Sequence, residues 1–138
     1  MRVSKIFVTV DVVLTREVDG KLELLLIKRD REPFAETWAL PGGFVDENED
    51  LETAAKRELL EETQIAVDAL QQVGAFGTPF RDPRSHVISV AFYGKVASDV
   101  FFQAGDDAND AGWYGLDKLP ELAFDHCEII KKAQQMYM

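Results

Sequence analysis

The sequence predicts an α/β domain in which helices cover a mixed β-sheet. Strand-type and helix-type patterns are interspersed along the chain rather than grouped, which is the signature of a sheet with helices packed on it. Asp19-Gly20, a pair that tight hairpin turns favour, stands between two strand patterns at 5–15 and 21–28, so the sheet is not purely parallel. With 138 residues the chain is expected to form a single domain, 1–138, around one core.

Residues 5–15 are rich in β-branched side chains, and 21–28 (KLELLLIK) supply the partner strand. From 30 to 46 the periodicity fails and Pro33, Pro41, Gly42 and Gly43 cluster, which predicts a loop. A helical pattern runs from about 50 to 63. Two strand candidates follow near 65–76 and 86–96, separated by Pro79, Asp82 and Pro83. An acidic loop spans 98–110. A short apolar piece at 113–116 precedes a last helix from about 125 to 137.

Hydrophobic residues make up 46% of the chain and charged residues 29%, ordinary globular proportions that exclude wholesale disorder. The 15 Lys plus Arg against 25 Asp plus Glu give a net charge of −10. So acidic a chain repels nucleic-acid backbones and anionic membranes, and neither is expected as a partner. If the substrate is itself anionic, a divalent cation reconciles the two charges. Cys127 is the one cysteine, so no intrachain disulfide can form. Residues 1–10 lack the apolar core of a signal peptide, and no run of about 18 apolar residues exists. The expectation is a soluble, cytoplasmic protein.

The most informative segment is EDLETAAKRELLEET, residues 49–63. At about 100° per residue, Leu51, Ala55 and Leu59 fall on one stripe, and Glu58 and Glu62 fall inside that stripe, roughly 40° apart. Glu61 lies at its edge; Leu60 and Lys56 point away. A solvated acidic helix partnered by Lys56 and Arg57 accounts for Glu49 and Glu52, which stand near the helix's positive end. It does not account for two carboxylates within the apolar stripe. Such groups must protonate or find a counter-charge. Mg²⁺ characteristically joins a few carboxylates, waters and substrate phosphates.

Gly43, five residues, Glu49, seven residues, then Arg57-Glu58-Leu59-Leu60-Glu61-Glu62-Thr63-Gln64-Ile65 resembles the Nudix box over residues 43–65. Every specified position matches except the second glycine, where Gln64 stands. The resemblance implies a Nudix-type α/β/α sandwich with a mixed β-sheet, and a hydrolase that attacks phosphorus of a nucleoside diphosphate derivative with water. It also implies Glu58, Glu61 and Glu62 as catalytic metal ligands, joined by the Gly42 carbonyl, with Mg²⁺ or Mn²⁺ as cofactor. Glu49 and Arg57 are implied to form the supporting pair. In the family pattern a glycine closes the helix in a left-handed conformation, so Gln64 there implies local strain.

TWALPGGFV, GTPFRDPRSHVISVAFYG, AGDDANDAGW and LAFDH resemble the ADP-ribose pyrophosphatase branch of that family, as does Pro79 beyond the box. The implied reaction converts ADP-ribose to AMP and ribose 5-phosphate, in a homodimer. Arg81 and Arg84 flank Asp82-Pro83, a natural place for cationic contact with phosphate or ribose; the alternative is a surface turn with an Arg–Asp pair. Phe34, Trp38, Phe80 and Tyr93 are candidates to stack on adenine, although most aromatics are core residues. Asp106, Asp107 and Asp110 are candidates to activate the water. His126 is expected to make a helix-start hydrogen bond, with ligand contact the alternative. Other members of the family act on NADH, dinucleoside polyphosphates or oxidised nucleoside triphosphates, and some bind ADP-ribose as transcriptional sensors. A sensor is expected to carry a DNA-binding module, which these 138 residues do not show, and intact Glu58, Glu61 and Glu62 favour catalysis.

Overall fold

A computed structural model describes residues 2–105 and 110–138, within which the chain forms seven strands and two helices. In chain order these are β1 (Ile6–Val18), β2 (Lys21–Lys28), β3 (Trp38–Ala39), β4 (Gly42–Phe44), α1 (Leu51–Thr63), β5 (Gln71–Phe76), β6 (His86–Lys95), β7 (Asp110–Gly115) and α2 (His126–Tyr137). Asp19 and Gly20 both have positive φ, the requirement of the tight turn that joins β1 to β2.

β1 is the axis of the sheet. One edge runs parallel to β6 from Ile6 to Thr15. Its other edge pairs with β4 over Thr9 to Asp11 and with β2 over Thr15 to Val18. Between those two pairings β1 and β2 part, and β3 attaches to β2 at Ile27 and Lys28. Residues 38–44 therefore fill a fork in the sheet, with Leu40 and Pro41 where it opens. β7 lies antiparallel on the far edge of β2, and β5 antiparallel on β6.

Alternation along the strands divides the core between two faces. Val10, Val12, Leu14, Leu25, Val90 and Phe92 pack with Ala54, Ala55 and Leu59 of α1. Val13, Leu24, Leu26, Ala91 and Tyr93 pack with Ile129, Ile130 and Ala133 of α2. One helix covers each face, giving the expected sandwich. None of the helices is long and apolar enough to cross a membrane.

Two expectations about local structure need correction. Residues 30–46 are not one loop, since they contain β3 and β4. Strands of two and three residues are too short to show alternation, and Gly42-Gly43 conceals one of them. The strand expected from 65 begins at Gln71. Ile65 and Leu70 are buried in the α1 core without joining a ladder, so burial mimicked a strand pattern.

α1 begins at Asp50, whose carboxylate accepts the Glu52 N–H, and ends at Gln64, which is left-handed at φ 62° and donates its N–H to the Leu60 carbonyl. Gln64 thus keeps the conformation of the glycine it replaces. A non-glycine residue there costs about 1–2 kcal/mol, partly offset by the greater freedom that glycine has in the unfolded chain. Gln64→Gly is expected to raise stability by about 0.5–1 kcal/mol in chemical denaturation, with activity unchanged.

Candidate active site

A cavity of about 460 Å³ opens at the fork. Glu58 and Glu62 reach it from α1, Asp11 and Thr9 from β1, and Gly42, Gly43 and Phe44 from β4. Lys28, Arg29 and Arg31 follow from the end of β2, Arg81 and Arg84 from the loop before β6, and Phe124 and His126 from the approach to α2. Carboxylates and five cationic side chains thus share one cavity, with Asp30, Asp46 and Asp82 also in its lining.

The two glycines set how closely α1 approaches. A Cβ on Gly43 would lie 2.7 Å from the carboxyl carbon and both oxygens of Glu58. A Cβ on Gly42 would overlap the Val10 carbonyl oxygen and crowd Asp11. Only backbone fits there.

Arg57 organises the loop in front of the helix. It grips Glu49 with two hydrogen bonds of 2.7 and 2.9 Å, donates to Glu58 Oε1 at 2.9 Å, and donates to the Phe44 carbonyl at 3.1 Å. The guanidinium holds the Glu49 carboxyl down at about 2. Burial pushes Glu58 up in spite of Arg57. Glu62 is pushed up to about 9, first by burial and then by the neighbouring charge of Glu58, with a hydrogen bond from the Gly42 backbone as a partial offset.

Glu62 Oε2 is buried and has no hydrogen-bond partner among the described residues. A buried oxygen left this way costs free energy that a ligand would relieve. Carboxylate and backbone oxygens form a hard donor set suited to a divalent cation. Among the described residues no three His, Cys, Asp or Glu side chains converge to hold an ion alone. An ion held there would take its remaining ligands from phosphate and water oxygens, as Mg²⁺ commonly does.

The family model for the NUDIX domain matches residues 5–133. The chain belongs to the NUDIX family. It is 47% identical over 118 residues to the ADP-ribose pyrophosphatase of Methanocaldococcus jannaschii, covering 83% of this chain and 69% of that protein. It is 35% identical over 129 residues to the ADPR responsive transcriptional repressor NtrR of Acinetobacter baylyi, covering 91% of this chain and 52% of the repressor. The NUDIX domain of Shewanella oneidensis NrtR, solved in complex with ADP ribose, superimposes with a TM-score of 0.89 at 31% identity, covering 99% of this chain and 91% of that one.

Within this NUDIX fold the expected residues separate. Glu58, Glu62, Gly42, Arg81 and Arg84 line the cavity, with Arg57 and Glu49 behind it. Glu61 turns outward, 58% exposed, and meets Arg57 at 3.3 Å. Arg84 pairs with Asp82 at 2.7 Å, so the Arg–Asp turn and the cavity position coexist. Arg81 is bound by both carboxylate oxygens of Asp125, the residue that opens α2. Phe34, Trp38 and Phe80 do not line the cavity. Phe34 packs edge-on behind Phe124, Trp38 packs on Tyr114, and Phe80 is 92% exposed. Tyr93 is buried against Thr15 and Tyr137. Asp110 begins β7, whereas Asp106 and Asp107 lie outside the described residues.

Asp11, Lys28, Arg29, Arg31 and Phe124 escaped the sequence reasoning. One signal was available: Asp11 is the lone carboxylate in an otherwise apolar run, VTVDVVL. His126 does not make the helix-start hydrogen bond expected of its side chain, and it lines the cavity instead. Its Nδ1 accepts the Leu40 N–H at 3.1 Å, and its Nε2 faces Asp11 Oδ1 at 3.5 Å. Burial pushes the Asp11 carboxyl up and the His126 imidazole down.

Proposed function

We propose that this chain is a metal-dependent pyrophosphohydrolase that cleaves ADP-ribose to AMP and ribose 5-phosphate. The observation that carries this is that one cavity holds the unpartnered Glu62 oxygen, Glu58 and Gly42 together with Lys28, Arg29, Arg31, Arg81 and Arg84. The ADP-ribose pyrophosphatase relative and the ADP-ribose complex of NrtR support that substrate.

Glu58, Glu62 and the Gly42 carbonyl would hold Mg²⁺ or Mn²⁺, with Glu61 joining from the rim. The cation would screen the diphosphate and make a water more acidic. In the overall reaction a water oxygen bonds to phosphorus, the bridging P–O bond breaks, and the bridging oxygen leaves on the other phosphate. Arg29 and Arg84 both lie beside Phe124, at 4.9 and 5.5 Å from its ring, and the charge of Arg84 adds to burial in lowering the pKa of Arg29. An anion between these guanidiniums relieves that repulsion, which suits them to the diphosphate or the phosphate of the ribose half. Arg57 keeps Glu58 aimed at Gly43. Asp110 and the acidic loop remain candidates for activating the water.

A cytoplasmic homodimer belongs to the same proposal. Exposed Cys127 suits a reducing compartment. Ile6, Phe7, Val8 and Phe44 form an exposed apolar ledge of the kind that subunits cover. Sedimentation equilibrium should then return twice the 15.5 kDa chain mass.

The test is AMP release from ADP-ribose with Mg²⁺, followed by chromatography, beside NADH, diadenosine polyphosphates and 8-oxo-dGTP. Turnover of ADP-ribose, abolished by EDTA, is expected. Cleavage of another nucleotide instead would keep the metal chemistry and refute the substrate. Binding of ADP-ribose without turnover would favour a sensor, the activity that the name of the Acinetobacter repressor describes.

A further inference from the structure

Resting on the cation seat proposed above, we infer that His126, with Asp11 and Ser89 behind it, is a positioning residue that fixes the Leu40–Gly42 backbone against Glu62. Residues 38–44 bridge the fork between β1 and β2, and their backbone groups are met in sequence. Trp38 donates to the Glu121 carbonyl, Ala39 pairs with Ile27, the Pro41 carbonyl accepts from Val12, and Gly42 pairs with Asp11. The Leu40 N–H is met by a side chain, His126 Nδ1, at 3.1 Å. A nitrogen that accepts cannot carry a proton, so the imidazole proton lies on Nε2, directed at Asp11 Oδ1. Asp11 Oδ2 in turn accepts from Ser89 Oγ. All four residues are buried.

That chain joins three separate elements, β6, β1 and α2, to the backbone segment that lies against Glu58 and lines the cavity with Glu62. Two residues after Leu40, Gly42 lines the same cavity as Glu62, and its backbone favours the charged form of that carboxylate. Asp11 also packs against Gly42 so closely that a Cβ there would lie 2.6 Å from its Oδ1. A shift of Leu40 is therefore passed to Gly42 and changes where its N–H and carbonyl stand relative to Glu62. Groups that orient metal ligands from behind typically change metal affinity or activity 10–100-fold when removed.

The experiment compares wild type with His126→Leu and His126→Asn. Leu removes both nitrogens; Asn places an acceptor near the position of Nδ1. Two quantities are read: Mn²⁺ affinity by electron paramagnetic resonance, and Leu40 amide exchange in metal-free protein. His126→Leu is expected to weaken Mn²⁺ binding 10–100-fold and to speed Leu40 exchange, and His126→Asn to recover most of both. A third variant, Asp11→Asn, and the imidazole ¹⁵N shifts of the wild type keep the inference testable if His126→Leu does not fold. Asp11→Asn is expected to weaken Mn²⁺ binding, and Nδ1 should be unprotonated in the wild type. Wild type that binds no Mn²⁺ would refute the cation seat itself. Wild type and all variants binding Mn²⁺ alike, or an imidazole protonated at Nδ1, would refute the positioning role alone.

Discussion

Glu62→Gln is expected to cut ADP-ribose turnover by at least about a hundredfold, since removing even the groups behind a metal ligand costs 10–100-fold. The fold should survive, because Gln fills the same space and the apolar core packed on α1 is untouched. The same variant carries a second signature in metal-free protein. Glu62 titrates near 4.5 in the open chain and is pushed up to about 9 in the folded one. Between those values the folded protein holds a proton that the unfolded chain has lost. Stability therefore falls as pH rises from about 4.5 toward about 9. Gln has no proton to lose, so Glu62→Gln should flatten this part of the stability profile measured in EDTA. Near-normal turnover in the variant would show that Glu62 is not part of the metal site.

Gly43→Ala is expected to reduce metal affinity and turnover about 10–100-fold, as a displaced ligand does, without changing secondary structure. Its backbone needs no conformation reserved for glycine, so the effect comes from the Cβ alone. That Cβ would lie 2.7 Å from three atoms of the Glu58 carboxyl group. Glu58 cannot simply swing aside, because Arg57 holds its Oε1 at 2.9 Å while also gripping Glu49. Circular dichroism and a metal titration on the same sample separate this outcome from a folding defect.

The helix and its stripe were legible because three apolar residues of α1 recur at helical spacing. Leu51, Ala55 and Leu59 mark the buried side, and Glu58 and Glu62 stand out against them. The hairpin was legible through Asp19-Gly20, whose conformation is local. What stayed hidden depends on distant pairing. β3 and β4 are defined by their place in the fork and not by their own composition. Asp11 joins the site only because Gly42 pairs with it across the sheet, and His126 only because α2 docks beside Leu40. Aromatic content misled in the other direction. Phe34, Trp38 and Phe80 carry no local mark that distinguishes them from Phe44 and Phe124, which do line the cavity. Arg81 and Arg84 were found by their loop, yet nothing local foretold that Asp125 would bind the first of them.

Glu62, beside Glu58 and the Gly42 backbone, is expected to form the cation seat. A Mn²⁺ titration followed by electron paramagnetic resonance, in wild type and in Glu62→Gln, tests it most directly. Saturable binding in the wild type that is lost or greatly weakened in the folded variant is the predicted result. Equal binding in the two proteins would contradict the claim, whatever activity either one retained.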